Sequence, residues 1–175
     1  MKEPKVLVKN VKTFRGMEGY GVNASVWING KLACTAIDSA DGGEMYFEPN
    51  YKHLEQSKAL IKELEDYCAA QPKRKITDTL SVKFTMEDYV NDLLVKWEDE
   101  KNKQKIDKLI KKHSKTAIVF GKPNTGEIRM LNFHVPLSNI NRNVVEMHLR
   151  ETQKKYCIDG VVILNTNLNE LGITL

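Results

Sequence analysis

The stretch that decides the fold is VNASVWINGKLACTAI, residues 22–37. In its first half apolar residues alternate with polar or aromatic ones, the period of two that is typical of a half-buried β-strand. Asn29-Gly30 follows, and this dipeptide is favoured in two-residue type I′ hairpin turns. We expect the second strand to alternate in the same way, which would place Ala33 and Cys34 on opposite faces of the hairpin.

Two further strands and a helix extend outward from this hairpin. Val6 to Phe14 resembles a half-buried strand with a slip in its alternation, and Glu44 to Glu48 is a short strand before Pro49. Together with the hairpin these strands predict an N-terminal antiparallel β-meander. An amphipathic helix is expected next, and it ends at about Ala70 because its apolar residues recur at helical spacing up to that position.

The middle of the chain is helical but its apolar pattern changes along its length. Thr85 and Asp88 predict a capping box in which aspartate replaces the usual glutamate. One apolar stripe follows and a second one is rotated from it by about half a turn. The first stripe is Met86, Tyr89, Val90, Leu93, Leu94 and Trp97, and the second is Ile106, Leu109, Ile110 and His113. We therefore expect either a break near Lys101 or a helix whose second half meets a different surface.

The C-terminal part predicts a strand, a hairpin, a helix and a last strand. Val161 to Leu164 is short and continuously apolar, which favours a central strand of a sheet. The fold class expected is α+β, with an N-terminal antiparallel β-meander, a helical middle and a C-terminal ββαβ unit. Residues 1–175 are taken as a single domain, and a subdivision into 1–70 and 81–175 would use residues 71–80 as the linker.

Composition and charge exclude several classes of protein. Among 175 residues there are 27 Lys+Arg and 23 Asp+Glu, a net charge of +4, and 41% are hydrophobic, as in a globular protein. No run approaches the roughly 18 apolar residues of a spanning helix, and the polar N-terminus lacks a secretory core, so we expect no membrane association. Cys34, Cys68 and Cys157 are widely spaced, which favours free thiols and a cytoplasmic location.

Motifs for catalysis or cofactor binding are missing at the expected spacings. The segment from Gly121 to Ile128 has the glycine spacing of a phosphate-binding loop, but Glu127 and Ile128 stand where lysine and serine or threonine are needed. We interpret this segment as a hairpin turn over Lys122–Gly126. The histidines and cysteines lack the spacing of metal ligands, and a GxSxG elbow for a nucleophile is absent. We expect no cofactor and no metal, and the sequence favours a protein that is not an enzyme.

Charged residues gather in two loops that the meander brings to one end of its sheet. The loops are the bend from Arg15 to Gly21, which holds three glycines, and the turn from Asp38 to Glu44. Such carboxylates could bind a cation or serve in acid–base chemistry, but acids and glycines are also the usual residues of turns. The candidate residues for binding a partner or ligand here are Arg15, Glu18, Tyr20, Asp41 and Glu44.

The positive charge of the chain is concentrated in residues 101–115. That segment has seven lysines and one acid, Asp107, while the rest of the chain carries a net charge of −2. Five of the lysines recur at helical spacing and form what we call the lysine row: Lys101, Lys105, Lys108, Lys112 and Lys115. A row of this kind could follow a nucleic-acid backbone or simply face solvent. No arginine or aromatic residue interleaves with it, so the pattern does not indicate recognition of bases.

The segment FRGMEGYGVNA (residues 14–24), with Asn29-Gly30-Lys31 and Asp41-Gly42-Gly43-Glu44, resembles small uncharacterised proteins encoded by bacteriophages and mobile elements. The resemblance covers about the first 50 residues and brings no assigned activity. It implies a bacterial host cytoplasm and an accessory role, and phage accessory proteins commonly bind host components.

Three functions follow as hypotheses. The leading one is an accessory protein that binds a host protein or complex, as an inhibitor for example, without catalysis. The second is nucleic-acid or nucleotide binding through the lysine row, and the third is a metal-dependent hydrolase or nuclease at the acidic turn.

Overall fold

The computed structural model describes residues 2–123 and 125–174. Its contacts divide the chain into two compact units, Met1–Trp97 and Glu98–Leu175, and residues 71–80 lie inside the first of them. The α+β class is confirmed, with an N-terminal antiparallel sheet, helices in the middle and a C-terminal sheet with a helix. No described helix is both long enough and apolar enough to cross a membrane.

The first unit is built on a four-stranded antiparallel sheet in the order β1-β2-β3-β4. Its strands are β1 (Val6–Arg15), β2 (Tyr20–Ile28), β3 (Lys31–Asp38) and β4 (Tyr46–Pro49). The predicted hairpin is confirmed, because β2 and β3 pair on either side of Asn29 and Gly30, whose φ angles are 50° and 81°. Two positive φ angles are what a type I′ turn requires.

Two irregularities bend this sheet. The slip expected in β1 is confirmed as a shift of register between Lys9 and Lys12. The alternation expected in β3 is wrong at one position, because Val26 pairs with Cys34 and Trp27 with Leu32, so that Ala33 is an extra residue. A β-bulge of this kind brings two successive residues to one face, and both Ala33 and Cys34 are buried.

Helices α1 (Leu54–Ala69) and α2 (Met86–His113) supply the rest of the first unit's core. Leu64 of α1 and Met86 and Val90 of α2 are buried in one cluster with residues of the sheet. The predicted capping box is present at the start of α2. The Asp88 N–H donates to Thr85 Oγ1 at 3.1 Å and the Thr85 N–H donates to Asp88 Oδ2 at 2.9 Å. The bond from the Thr85 N–H, together with the Thr85 hydroxyl and Arg74, holds the pKa of the Asp88 carboxyl below its usual range.

The helix α2 is continuous at Lys101, so the alternative of a break there is wrong. Its second apolar stripe packs in a different cluster from the first, since Ile106 and Ile110 belong to the core of the second unit. Leu109 departs from the prediction and is 42% exposed. Its position on the helix lies about 60° to one side of Ile106, so it falls at the margin of the buried stripe.

The segment between α1 and α2 is exposed along most of its length. It contains a pair of two-residue strands, β5 (Arg74–Lys75) and β6 (Ser81–Val82). Arg74 also reaches α2, where its Nη1 lies 3.2 Å from Asp88 Oδ1 and its Nη2 lies 3.5 Å from Asp92 Oδ1. The segment is therefore attached to the first unit.

The second unit has the predicted ββαβ order, with β7 (Ala117–Gly121), β8 (Ile128–Asn132), α3 (Arg142–Tyr156) and β9 (Val162–Ile163). The expectation of a central strand over Val161–Leu164 is wrong, because the order is β8-β7-β9 and the fully buried β7 is central. Beyond β9 the ladder is continued by a side chain: Asn165 Oδ1 accepts from the Val119 N–H at 2.7 Å. The turn predicted over Lys122–Gly126 includes Asn124, which lies outside the described residues.

The hairpin turn gives a first prediction. Replacing Gly30 with valine should lower the free energy of unfolding by about 1–3 kcal/mol, because a β-branched residue is strained at positive φ. Apart from the two neighbouring residues, no described residue has an atom within 4 Å of a Cβ added at Gly30, so the loss would report backbone strain rather than a clash of that atom. The control is Lys31→Val, an exposed position next to the turn where we expect little change. Equal urea midpoints for Gly30→Val and the parent would contradict the turn.

The thiols give a second prediction. All three cysteines are free, and burial raises the pKa of Cys34 to about 12 and that of Cys68 to about 11. Because the thiolate is the reactive form, a thiol reagent at about pH 8 should modify neither Cys34 nor Cys68 in the folded protein. Mass spectrometry should find modification of Cys157 at most, and of all three cysteines after unfolding in denaturant without reductant. Rapid native labelling of Cys34 would contradict the described core.

Candidate functional site

The candidate site is the end of the four-stranded sheet where β1 meets β2 and β3 leads to β4. Arg15 pairs with Tyr20 as the last pair of β1 and β2, and Val22 pairs with Asp38 at the end of β3. The two connecting loops, residues 16–19 and 39–45, therefore emerge at the same end. We call these loops together with Arg15, Tyr20 and Asp38 the tip.

The two loops of the tip are bonded to each other. The Glu18 N–H donates to the Ala40 carbonyl at 2.8 Å, and the Gly16 N–H donates to the Gly19 carbonyl at 2.9 Å within its own loop. Gly16 lies directly against the other loop, because a Cβ added there would be 2.6 Å from the Ala40 Cβ and 2.8 Å from the Ser39 carbonyl oxygen. Such an approach is open only to glycine. The expected convergence of the two loops is thus present in the structure.

The carboxylates of the tip are used mainly to shape its turns. Asp38 Oδ1 accepts from the Ala40 N–H at 2.8 Å, and Asp41 Oδ1 accepts from the Gly43 N–H at 3.1 Å. The Glu18 carboxylate lies against Gly42 in the opposite loop. These bonds are those of Asx turns and favour the turn-forming role of the acids. Among the described residues no group of three or more His, Cys, Asp or Glu side chains is arranged to hold a metal ion.

Two large side chains of the tip are turned toward solvent. Met17 is 95% exposed and Tyr20 is 78% exposed. Arg15 and Glu44 are exposed as well, and Arg15 pairs with Tyr20 at the end of β1 and β2. Phe14 is different, because its ring covers the backbone of Gly21 across the two strands. Sequence reasoning did not select Met17, although an apolar residue between glycines in a loop was the available signal.

The lysine row is only partly the helix face that was predicted. Lys105, Lys108 and Lys112 are exposed on α2. Lys101 is also an exposed residue of α2, but Lys115 is not part of the helix, which ends at His113. The Lys115 carbonyl accepts from the Leu137 N–H at 2.8 Å, so the chain has already turned into the second unit's loops at that point. The row on the helix is therefore shorter by one residue than expected.

The contact between the loops of the tip gives a third prediction. Replacing Gly16 with alanine should lower the free energy of unfolding by about 1–3 kcal/mol, because the new methyl group overlaps Ala40. Gly43→Ala in the opposite loop is the matched control, since its Cβ would meet only Asp41 Oδ1 at 3.2 Å. Chemical denaturation should show a clearly larger loss for Gly16→Ala, and two equal losses would contradict the docking of the loops.

Comparison of the chain with protein-family models, with curated proteins and with solved structures found no match in any of the three. The resemblance of residues 14–44 to bacteriophage proteins stays an expectation from that segment. A function for this protein must therefore be argued from its side chains and their geometry.

Proposed function

We propose that the protein binds another protein through the tip, without catalysis, and that the partner is a component of a bacterial host cell. The observation that supports this proposal is the exposure of Met17 and Tyr20 on two loops that are bonded to each other. The host is what the resemblance to phage proteins implies. Inhibition of the partner would be one consequence of such binding.

The chemistry of the tip favours a protein as the partner. Tyrosine, methionine and arginine are enriched at protein interfaces, and an apolar centre within a polar rim is the usual arrangement of an energetically important contact. At the tip Met17 and Tyr20 form the apolar part, while Arg15, Glu18 and Glu44 supply charges of both signs. A nucleic acid would instead require an excess of positive charge.

The proposal predicts that capture of a partner depends on the tip. The tagged full-length protein is incubated with bacterial lysate, with and without nuclease, and captured proteins are identified by mass spectrometry. For the double variant Met17→Ser/Tyr20→Ser, the amount of each specifically captured protein should fall at least about tenfold. A loss of this size is expected when one or two central side chains of an interface are removed. Because both side chains are exposed, its stability should stay within about 0.5 kcal/mol of the parent.

The matched control removes two exposed apolar side chains from the second unit. Met147 is 48% and Ile158 is 63% exposed, so Met147→Ser/Ile158→Ser likewise replaces two exposed apolar side chains and leaves the residues of the tip unchanged. This control should capture the same proteins as the parent. Equal loss of capture by both double variants, or capture that the tip variant leaves unchanged, would contradict the proposal.

Nucleic-acid binding is the second candidate, and the observation that favours it is the exposed face of Lys105, Lys108 and Lys112 on α2. The same experiment separates it from the first. If nucleic acid carries the interaction, nuclease treatment removes the captured material and so does Lys105→Glu/Lys108→Glu/Lys112→Glu. Under the proposal for the tip, neither change affects capture.

A further inference from the structure

A cavity of about 230 Å³ lies in the first unit and is lined by aromatic side chains from both helices and the segment between them. They are Tyr67 of α1, Phe84 of the segment before α2 and Tyr89 of the first turn of α2, and we call them the aromatic cage. None of the roles considered for the tip or the lysine row involves them. All three are partly buried, so the cavity opens from the core toward solvent.

The rings of the aromatic cage stand nearly at right angles. The centroids of Tyr67 and Tyr89 are 6.1 Å apart with an interplanar angle of 87°. Those of Phe84 and Tyr89 are 6.3 Å apart at 72°. Neighbouring walls of the cavity are thus aromatic surfaces in different orientations, as in the sites that surround methylated ammonium groups.

The charged groups of the cavity are predominantly acidic. Glu3 and Asp92 both line it, and the Tyr89 hydroxyl donates to Glu3 Oε1 at 3.2 Å, which holds that carboxylate at the rim. Asp92 is also 3.5 Å from Arg74 Nη2. Lys96 is the one cation among the lining residues, so the cavity has an excess of one negative charge. Burial and the Glu3 carboxylate raise the pKa of Tyr89 to about 12, so its ring stays neutral.

We propose that the aromatic cage binds an alkylated ammonium group of the trimethylammonium kind, with Glu3 and Asp92 balancing its charge. The faces of tyrosine and phenylalanine rings attract a cation, and this attraction is strongest for a cation that loses little hydration on entry. A methylated ammonium meets that condition, and its methyl groups also contact the apolar wall that Leu93 contributes. A metal ion would need several oxygen ligands, which the aromatic walls do not offer.

The size of the cavity fits a small ligand group. Sites for drug-sized molecules usually have about 300–1,000 Å³, whereas this cavity is smaller, at about 230 Å³. The ligand is therefore a compact cation or the end of a side chain. Two sources share this chemistry, a free small cation such as choline and the trimethylated lysine of a protein.

The test is an NMR titration of the full-length, isotope-labelled protein with choline chloride, against sodium chloride at matched ionic strength. We expect saturable shifts at the amides of Tyr67, Phe84 and Tyr89. The neutral analogue of choline with carbon in place of the nitrogen should bind at least about fivefold more weakly, because it has the same shape and no charge. No saturable shift with choline, or equal binding of the neutral analogue, would overturn the proposal.

Variants locate the site and separate the roles of ring and charge. Tyr89→Leu should weaken choline binding at least about tenfold, while Tyr89→Phe keeps the ring and should bind within about threefold of the parent. Asp92→Asn is the variant that spares the core, because its side chain is 48% exposed, and it should weaken binding severalfold. Tyr20→Leu at the tip is the control and should change nothing. Unchanged binding by Asp92→Asn and Tyr89→Leu would place the cation elsewhere.

A second titration distinguishes the two sources of the ligand. The probe is a blocked tripeptide with a central trimethyllysine, compared with the same peptide containing unmodified lysine. Tighter binding of the trimethylated peptide than of choline would assign the aromatic cage to a modified protein, and the reverse would assign it to a free cation. Either result supports an alkylated ammonium site, whereas tighter binding of the unmodified lysine peptide would overturn it.

Discussion

Packing of α1 against one face of the four-stranded sheet holds the first unit together. The sheet presents small side chains there, Ala24, Cys34 and Ala36, which are almost completely buried. Leu64 of α1 is buried in the same cluster as Cys34 and Ala36 and has no exposed surface. Burial of one leucine contributes about 1.5–3 kcal/mol, and a close fit adds the dispersion energy of a densely packed interior. A shift of one residue in the register of β2 and β3 would turn the opposite face of the shifted strand toward α1.

The same core extends to the loop of the tip that follows β3. This loop is anchored by two buried apolar residues, Ala40 and Met45. The Met45 N–H donates to Glu87 Oε1 of α2 at 3.1 Å, which ties the end of the loop to the helix. The other loop is bonded to Ala40 through Glu18. The position of the tip therefore depends on the core of the unit and not only on its own turns.

Features that a few adjacent residues determine could be predicted from the sequence. The turn at Asn29-Gly30 depends on two residues that tolerate positive φ, and the box at Thr85 and Asp88 depends on two side chains within one helical turn. The convergence of the two loops at one end of the sheet followed from the order of the strands alone. Each of these three features needs only local chemistry or the antiparallel topology, and none depends on the details of packing.

Features that depend on distant contacts could not be predicted. Ala33 forms a bulge because its carbonyl accepts bonds from Asn50 and from the Ser57 hydroxyl, residues that the alternation of β3 does not reveal. A continuous apolar run predicts a buried strand but not its place in the sheet, so the run Val161–Leu164 favours a central strand although β7 holds that place. Tyr67 and Tyr89 meet across two helices, and in the sequence Tyr89 fitted an ordinary core stripe.

The exposed side chains of the tip suit a protein contact because the two loops that carry them are already ordered on folding. Ordering a loop on binding costs about 1–2 kcal/mol per residue of backbone entropy, so a flexible loop loses much of the energy of its contacts. At the tip much of that cost is met on folding, because Gly16 lies against Ala40 and the Glu18 N–H is bonded to the opposite loop. Tyr20 is held in addition by its pairing with Arg15. The lysines of α2 carry long, flexible side chains, and an interaction through them would be nonspecific and weakened by salt. Selective recognition of one partner is therefore better served by the tip.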